Sequence, residues 1–433
     1  MTIAEIHKKF LECSQEISTD TRTMIPGAMF FAWKGEVVDG NDYVAMALEK
    51  GAKWVICDDI EAAELNDRCI LVSDTIETLQ ALARYHRQQF DIPVIAIGGS
   101  NGKTTTKELL AQILKQQKDT VASFGSLNNH TGVPLTLLRI NPYTDIAVLE
   151  MGANHIGEIA ELCAIAEPTH GLITNIGRDH IGLFGGIDGV LEANLELYTY
   201  LKNNNGFIFM NKNDDLLMKH IPEDNYLCYG VSLEGENGIK SLHTSPYISG
   251  AWKNHTITTK LTGEYNLENI IAAISVAKYL DIQDESVIKA IEEYNPNNNR
   301  STILKTENNI IIKDYYNANR TSMELAIDNL VTVTRNNEGF SSVAILGDML
   351  ELGEFSDGEH QAVLKYAEDK GIENIILIGP DFKKLDASEN IIQYENVDTA
   401  ILGLKEQVFK NTCILFKASN GTNLNKLFES RNW

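Results

Sequence analysis

The run Gly98-Gly-Ser-Asn-Gly-Lys-Thr-Thr-Thr106 is the part of the sequence best suited to chemistry. It follows Val94-Ile-Ala-Ile97, which reads as a buried strand, and precedes Lys107–Gln117, which reads as a helix. A glycine loop between a strand and a helix N-terminus aims backbone N–H groups and the helix dipole at one point, where an anion is stabilised. Gly99, Ser100, Asn101, Gly102, Lys103, Thr104 and Thr105 are therefore the candidate ATP-binding residues. Lys103 can reach the β- and γ-phosphates, and the Thr104 hydroxyl can ligate Mg²⁺. The strict spacing G-x-x-x-x-G-K-[ST] needs glycine at 97. The chain has Ile97 there, so Gly98 and Gly99 must make the turn.

Two more groups lie where such a loop needs them. Glu150 closes the apolar run Ile146–Leu149, and His180 comes just after the run Gly171–Asn175. Strand ends of a parallel sheet line one crevice, so Thr104, Glu150 and His180 are expected to converge beside the γ-phosphate. A hydroxyl and a carboxylate suit Mg²⁺, which takes oxygen ligands. A histidine ligand does not follow from that preference.

The elements that must position these groups are short apolar runs separated by helical stretches. The clearest strands are Met29–Trp33, Trp54–Asp58, Val94–Gly98, Ile146–Glu150, Gly171–Asn175, Phe207–Asn211, Ile310–Asp314, Val343–Gly347, Ile375–Gly379 and Ile414–Ala418. Helical stretches such as Thr78–Gln89, Thr105–Gln117 and Glu359–Lys370 lie between them. This alternation predicts an α/β protein with parallel sheets built from βαβ units. At 433 residues the chain is too long for one ordinary core. Breaks near Asp91-Ile-Pro93 and in the polar stretch Asn295–Arg300 divide it into residues 1–90, 91–297 and 298–433.

Composition removes several classes of function. The net charge of −23 argues against nonspecific binding to nucleic acid or anionic membranes. No apolar run is long enough for a membrane span, and the start has helical spacing without a signal-peptide core, so the expectation is a cytoplasmic protein with no membrane insertion. The six cysteines show no C-x-x-C spacing, so neither a zinc site nor a disulfide framework is expected.

The loop G-S-N-G-K-T-T resembles that of the Mur ligase family, which includes folylpolyglutamate synthetase. The resemblance extends over nearly the whole chain. It runs through Asn128-Asn-His-Thr-Gly-Val-Pro-Leu-Thr-Leu-Leu138, Leu149-Glu-Met-Gly-Ala-Asn154 and Asn175-Ile-Gly-Arg-Asp-His180. It continues in Gly263-Glu-Tyr-Asn-Leu-Glu-Asn269, Asp314-Tyr-Tyr-Asn-Ala-Asn319 and Leu346-Gly-Asp-Met-Leu-Glu-Leu-Gly353. It implies a small N-terminal α/β domain that binds the UDP part of the substrate, a central P-loop ATPase domain and a C-terminal Rossmann-like domain for the incoming amine. It implies phosphorylation of a carboxylate by ATP and attack of an amine on the acyl-phosphate, with ADP and phosphate released. The last two motifs, with Gly132-Val-Pro-Leu-Thr136, are similar to the branch that joins D-alanyl-D-alanine to a UDP-linked muramoyl peptide. Those small molecules are then the expected partners, and the expected oligomeric state is a monomer.

Residue roles follow from the same resemblance. Lys103, Glu150, His180 and Arg300 become the catalytic set. Asn269 and Asn266 match the adenine-side motif; a helix N-cap is the alternative at Asn269 and the favoured reading at Asn266. Arg300 and Asp314 match residues that reach the nucleotide from the C-terminal domain. Thr19, Thr21 and Arg22 are candidates for a diphosphate. Asn129, Asn317, Asn319 and Asp348 are candidates for the substrates, with Asp348 facing an ammonium. Glu351 and His360 fit that site or a solvated surface equally well.

The chain departs from the family at three places. Asn194 occupies the position of a lysine that the family carbamylates to hold a second Mg²⁺. Arg320 replaces a proline, and Lys417-Ala-Ser-Asn-Gly-Thr422, with Ala418 and Asn420, lacks an expected arginine. Asn194 predicts a weak or absent second metal, no dependence on bicarbonate, and a faster Asn194→Lys variant. The departures leave open a related ligase acting on another carboxylate and amine, or a nucleotide-binding homologue with impaired catalysis.

Overall fold

The structure, a computed structural model, describes residues 1–35, 37–296, 300–388 and 391–433. The expected boundary between residues 297 and 298 lies outside the described residues. Three sheets follow one another along the chain. The first has four parallel strands in the order Ile17–Ser18, Met29–Ala32, Trp54–Cys57 and Cys69–Leu71. The third has six strands, with Asn309–Asp314, Thr412–Lys417, Ser341–Gly347 and Asn374–Ile378 forming its parallel centre. All ten strands expected from the apolar runs are present, with ends shifted by a residue or two.

The middle sheet has nine strands and positions the phosphate loop. Val94–Gly98 lies between Ile146–Glu150 and His170–Ile173, all parallel. Their C-terminal ends therefore open on one crevice, and the Gly98 loop, Glu150 and the Asn175–His180 segment all leave from it. Helix Lys103–Leu114 covers one face of the sheet. Its Leu109, Leu110 and Ile113 pack with the almost wholly buried helix Asn266–Tyr279. Beyond Phe207–Asn211 the sheet continues through Tyr226–Val231 and Gly238–His243 into an antiparallel edge, Ser249–Trp252 and His255–Thr258. No helix among the described residues is long and apolar enough to cross a membrane.

Helix Thr75–Arg87 joins the first module to the middle one. Its His86 is fully buried, facing His7 on one side (Nδ1···Nε2 2.9 Å) and the Ile140 carbonyl on the other (2.7 Å). Burial holds His86 near a pKa of about 4, and His7 is lowered for the same reason. The unfolded chain, with an ordinary histidine, takes up this proton near pH 6.5, whereas the folded chain resists it until about pH 4. Stability is thus fully present above pH 6.5 and is lost as the pH falls toward 4. At pH 5 the loss from His86 is about 2 kcal/mol. Thermal unfolding between pH 7.5 and 5 should show it, and His86→Gln should flatten the slope. An equal slope in the two proteins would remove His86 as its source.

Candidate active site

The phosphate loop is strained in a way that only glycine tolerates. Gly99 has φ +118°, and a Cβ there would lie 2.1 Å from Thr174 Oγ1. Gly102 has φ +83°, and its Cβ would lie 2.2 Å from Asn269 Oδ1. Both neighbours belong to the loop's support. Thr174 Oγ1 donates to the Asn101 carbonyl at 2.6 Å, and Thr106 Oγ1 donates to Asn269 Oδ1 at 3.2 Å. Asn269 Nδ2 donates to Asn266 Oδ1, and Asn266 Nδ2 to the Thr262 carbonyl. Neither asparagine is an N-cap, since helix Asn266–Tyr279 is preceded by Tyr265 without a side-chain cap. They brace the helix that carries the loop.

Lys103 begins helix Lys103–Leu114 and folds back, its Nζ donating to the Gly99 and Ser100 carbonyls. Only 15% of its side chain is exposed. Thr104 is buried yet lines the same cavity. One Glu150 oxygen accepts from Asn128 Nδ2 at 2.9 Å. The other is buried without a hydrogen bond, 3.7 Å from Lys107 Nζ. Lys107, which the motif did not single out, also donates to the Gly125 carbonyl at 2.6 Å. Burial pulls its ammonium below the usual lysine range, and Glu150 opposes that shift. Thr104 and Glu150 line one cavity, and a hydroxyl with a carboxylate is an oxygen donor set that suits Mg²⁺. His180 fits less directly, because its Nδ1 lies against the Glu351 carboxylate and its Nε2 lies 3.4 Å from Asp179 Oδ2. Glu351 is exposed at the cavity rim and pairs with His180 in this structure.

The third sheet brings its own residues to this crevice. The Arg300 guanidinium lies 3.7 Å from the centre of the Tyr316 ring and donates to Ser126 Oγ at 3.4 Å, while its Nε has no hydrogen-bond partner among the described residues. Tyr316 donates to the same Ser126 oxygen at 2.5 Å. Asp314 lines the crevice with both oxygens engaged once, each keeping a further acceptor site. One oxygen pairs with Lys417 Nζ at 3.0 Å, and the other accepts from Ser301 N at 3.2 Å. Asn317 and Asn319 both donate to Asp179, and Asn319 also reaches Asn101 of the phosphate loop. Asn129 lines the crevice while its amide oxygen caps helix Gly132–Leu137 through Gly132 N.

A cavity of about 770 Å³ joins these groups. It is lined by Ser100 to Thr105, Glu150, His180, Asn269, Arg300, Asp314 and Asn317. The expectation for Asp348 is corrected. It is buried, and its two oxygens accept from Asp381 N and Phe382 N, both at 2.9 Å, so it caps the helix Pro380–Lys383. His360 is fully buried, with Nε2 accepting from Met349 N and Nδ1 donating to the Ser356 carbonyl, which excludes the solvated-surface alternative. Thr19, Thr21 and Arg22 stay in the first module, away from this cavity. Thr21 is buried, and Arg22 is exposed and paired with Asp20 at 2.7 Å.

The departures have local explanations. Asn194 Oδ1 accepts from Gly99 N at 2.8 Å, and its Nδ2 donates to the Val190 carbonyl at 2.8 Å. The side chain is part of the phosphate loop's support. Arg320 pairs with Glu324 at 2.7 Å and lies 3.9 Å from Glu359, the carboxylate that also holds Arg178. Ala418 is buried against Gly347, where an added Cβ would lie 2.7 Å from the Ala418 Cβ, so it is position 347 that has no room for a side chain.

A phosphate loop at a sheet crevice, an orphaned carboxylate beside it and a third α/β module closing over both define a modular nucleotide-dependent enzyme. Family models match in chain order over residues 14–87 (Mur ligase family, catalytic domain), 97–277 (Mur ligase middle domain) and 299–420 (Mur ligase, glutamate ligase domain). The chain belongs to the Mur ligase family, whose members are ATP-dependent, ADP-forming ligases. It is 32% identical over 428 residues to the UDP-N-acetylmuramoyl-tripeptide–D-alanyl-D-alanine ligase of Bacillus subtilis, covering 95% of this chain and 92% of that protein. The Escherichia coli enzyme of the same name is 31% identical, covering 89% and 86%. The crystal structure of MurF from Acinetobacter baumannii superposes with a TM-score of 0.85 at 29% identity, covering 96% and 92%. MurF of Thermotoga maritima in complex with ADP superposes with a TM-score of 0.82 at 26% identity, covering 96% and 97%.

Proposed function

We propose that this protein joins the terminal carboxylate of a UDP-linked muramoyl tripeptide to the amine of D-alanyl-D-alanine, using ATP and releasing ADP and phosphate. The observation that carries the reading is the single cavity in which the phosphate loop and Glu150 of the middle sheet meet Arg300, Asp314 and Asn317 of the third. Similarity to ligases with that printed name over at least nine-tenths of the chain supports the substrate pair. In this reading residues 1–90 hold the UDP part, 91–297 hold ATP, and 298–433 present the amine. The protein works as a cytoplasmic monomer.

The residues divide the work. Gly99 to Thr105 hold the phosphates, and Lys103 exchanges its two loop carbonyls for phosphate oxygens. Thr104 and Glu150, with His180 if released from Glu351, would hold Mg²⁺. When bound, the metal neutralises charge on the transferring phosphoryl group and the acceptor carboxylate. Lys107 keeps Glu150 oriented from below. Arg300 is fixed by stacking on Tyr316 and adds a cation from the third module. The acyl-phosphate hydrolyses in water, so the closed crevice protects it until the amine attacks.

Release of ADP should require both the muramoyl tripeptide and D-alanyl-D-alanine. A panel of UDP-muramoyl peptides and amines tests this, and ADP release with a different pair would assign another substrate. The first module has its own test. Arg22→Ala should weaken calorimetric binding of the UDP-linked peptide roughly ten- to a hundred-fold if Arg22 exchanges Asp20 for a diphosphate. Unchanged affinity would take Arg22 out of the site.

A further inference from the structure

Asp179 immediately precedes His180, and neither the phosphate-loop motif nor the metal reading gives it a task. It is buried, with 6% of its surface exposed, at the junction of three elements. Asn317 Nδ2 and Asn319 Nδ2, both from the third module, donate to Asp179 Oδ1 at 3.3 Å each. The other oxygen faces the middle module, 4.0 Å from Lys103 Nζ and 3.4 Å from His180 Nε2. One carboxylate therefore holds third-module amides on one oxygen and looks at the phosphate-loop cation with the other.

Asn319 is locked for this contact. Its Oδ1 accepts from Ser322 N at 2.9 Å and caps helix Arg320–Arg335, while Asn319 N donates to Ser322 Oγ at 3.0 Å. The cap fixes the amide plane, so the Nδ2 hydrogens point out of the helix, toward Asp179 Oδ1 and toward Asn101 Oδ1 at 3.0 Å. Thr321 Oγ1, two residues on, accepts from Arg178 N at 3.4 Å. The N-terminus of the third module's first helix thus rests on the segment that carries Asp179.

We propose that Asp179 is the positioning residue that couples nucleotide in the phosphate loop to docking of the third module. A carboxylate this buried must be compensated by partners. With the loop as seen here, Lys103 is one of them. Phosphates that draw Lys103 toward themselves remove that compensation, and the third-module amides then carry more of it. Nucleotide thereby tightens docking, and by reciprocity docking tightens nucleotide. The proposal deepens the ligase reading, but the coupling needs no second substrate and its test uses none.

Hydrogen exchange read by mass spectrometry over residues 315–323, with and without ADP, tests it. In the wild-type protein nucleotide should slow exchange there. Asp179→Asn places an amide against two amide donors and a lysine. It should speed exchange in that segment by about ten-fold and abolish the nucleotide response. Protection of strand Val94–Gly98 should be unchanged. Asn319→Ser keeps a capping oxygen and removes the reaching amide. It should lose the same nucleotide response, and the double variant should be no worse than the poorer single one. A nucleotide response that survives in Asn319→Ser, or additive losses in the double variant, overturns the coupling. If Asp179→Asn fails to fold, Asn319→Ser alone decides. A wild-type protein that shows the response but does not ligate the muramoyl tripeptide would overturn the substrate assignment and leave the coupling standing.

Discussion

Lys103→Ala is expected to lower ATP turnover by at least about 10²–10³-fold, the scale on which removing one preorganised donor to a developing charge acts. The fold should survive. The lysine's hydrogen bonds run to two carbonyls of its own loop, which cavity water can replace, and Asp179 keeps its bonds from Asn317 and Asn319. The side chain is mostly covered, tucked onto its loop and 4.0 Å from Asp179. Its covered stem is still not core, because the helix behind it is anchored by Leu109, Leu110 and Ile113. Steady-state ADP release beside a thermal unfolding curve checks both halves. Turnover near the wild-type rate would take the loop out of the chemistry. A collapsed unfolding curve would mean that Lys103 holds the helix start in place.

What could be read from the sequence was local. Val94–Gly98 and its loop are contiguous, so one window contained strand, turn, cation and hydroxyl. The antiparallel edge was not legible. Gly238–His243 and His255–Thr258 are short and bury only one or two residues each, and no long apolar run marks them. Among site residues, Thr104 and Glu150 fell within motifs. Lys107 and Ser126 did not, and Tyr316 and Lys417 stood in quoted segments without a role, because each is an ordinary residue type whose role comes from a distant contact. Lys417 meets Asp314 only because their strands are neighbours in the third sheet. The one signal for Lys107 was its place a helical turn after Lys103, on the face that must look toward the Glu150 strand end. Asp348 misled for the opposite reason. Its motif pointed to a ligand, but the backbone N–H groups of a short helix took both oxygens first.

Asn194→Lys is the substitution on which sequence and structure disagree most. Residue arithmetic favours it, since a carbamylated lysine would supply two anionic oxygens where asparagine offers one neutral carbonyl. The structure reverses the expectation. Asn194 Oδ1 is the acceptor for Gly99 N, in a loop whose turn is tied to Thr174 and Asn175 through the Asn101 carbonyl. A lysine brings only donors to that N–H. Leaving a buried donor unpaired costs about 1–3 kcal/mol, and a loop displaced by that amount would slow turnover roughly 5- to 150-fold. No neighbour makes up for the lost anion. Glu196 accepts from Gly157 N and Ala160 N at the start of another helix, and Glu192 is exposed. We therefore expect wild-type ADP release to be flat across a bicarbonate titration and Asn194→Lys to be slower at every Mg²⁺ concentration. Asn194→Asp, which keeps the acceptor, should lose far less. A wild-type rate that climbs with bicarbonate, or a lysine variant faster than wild type, would mean that this position serves a metal and that the contact with Gly99 is incidental.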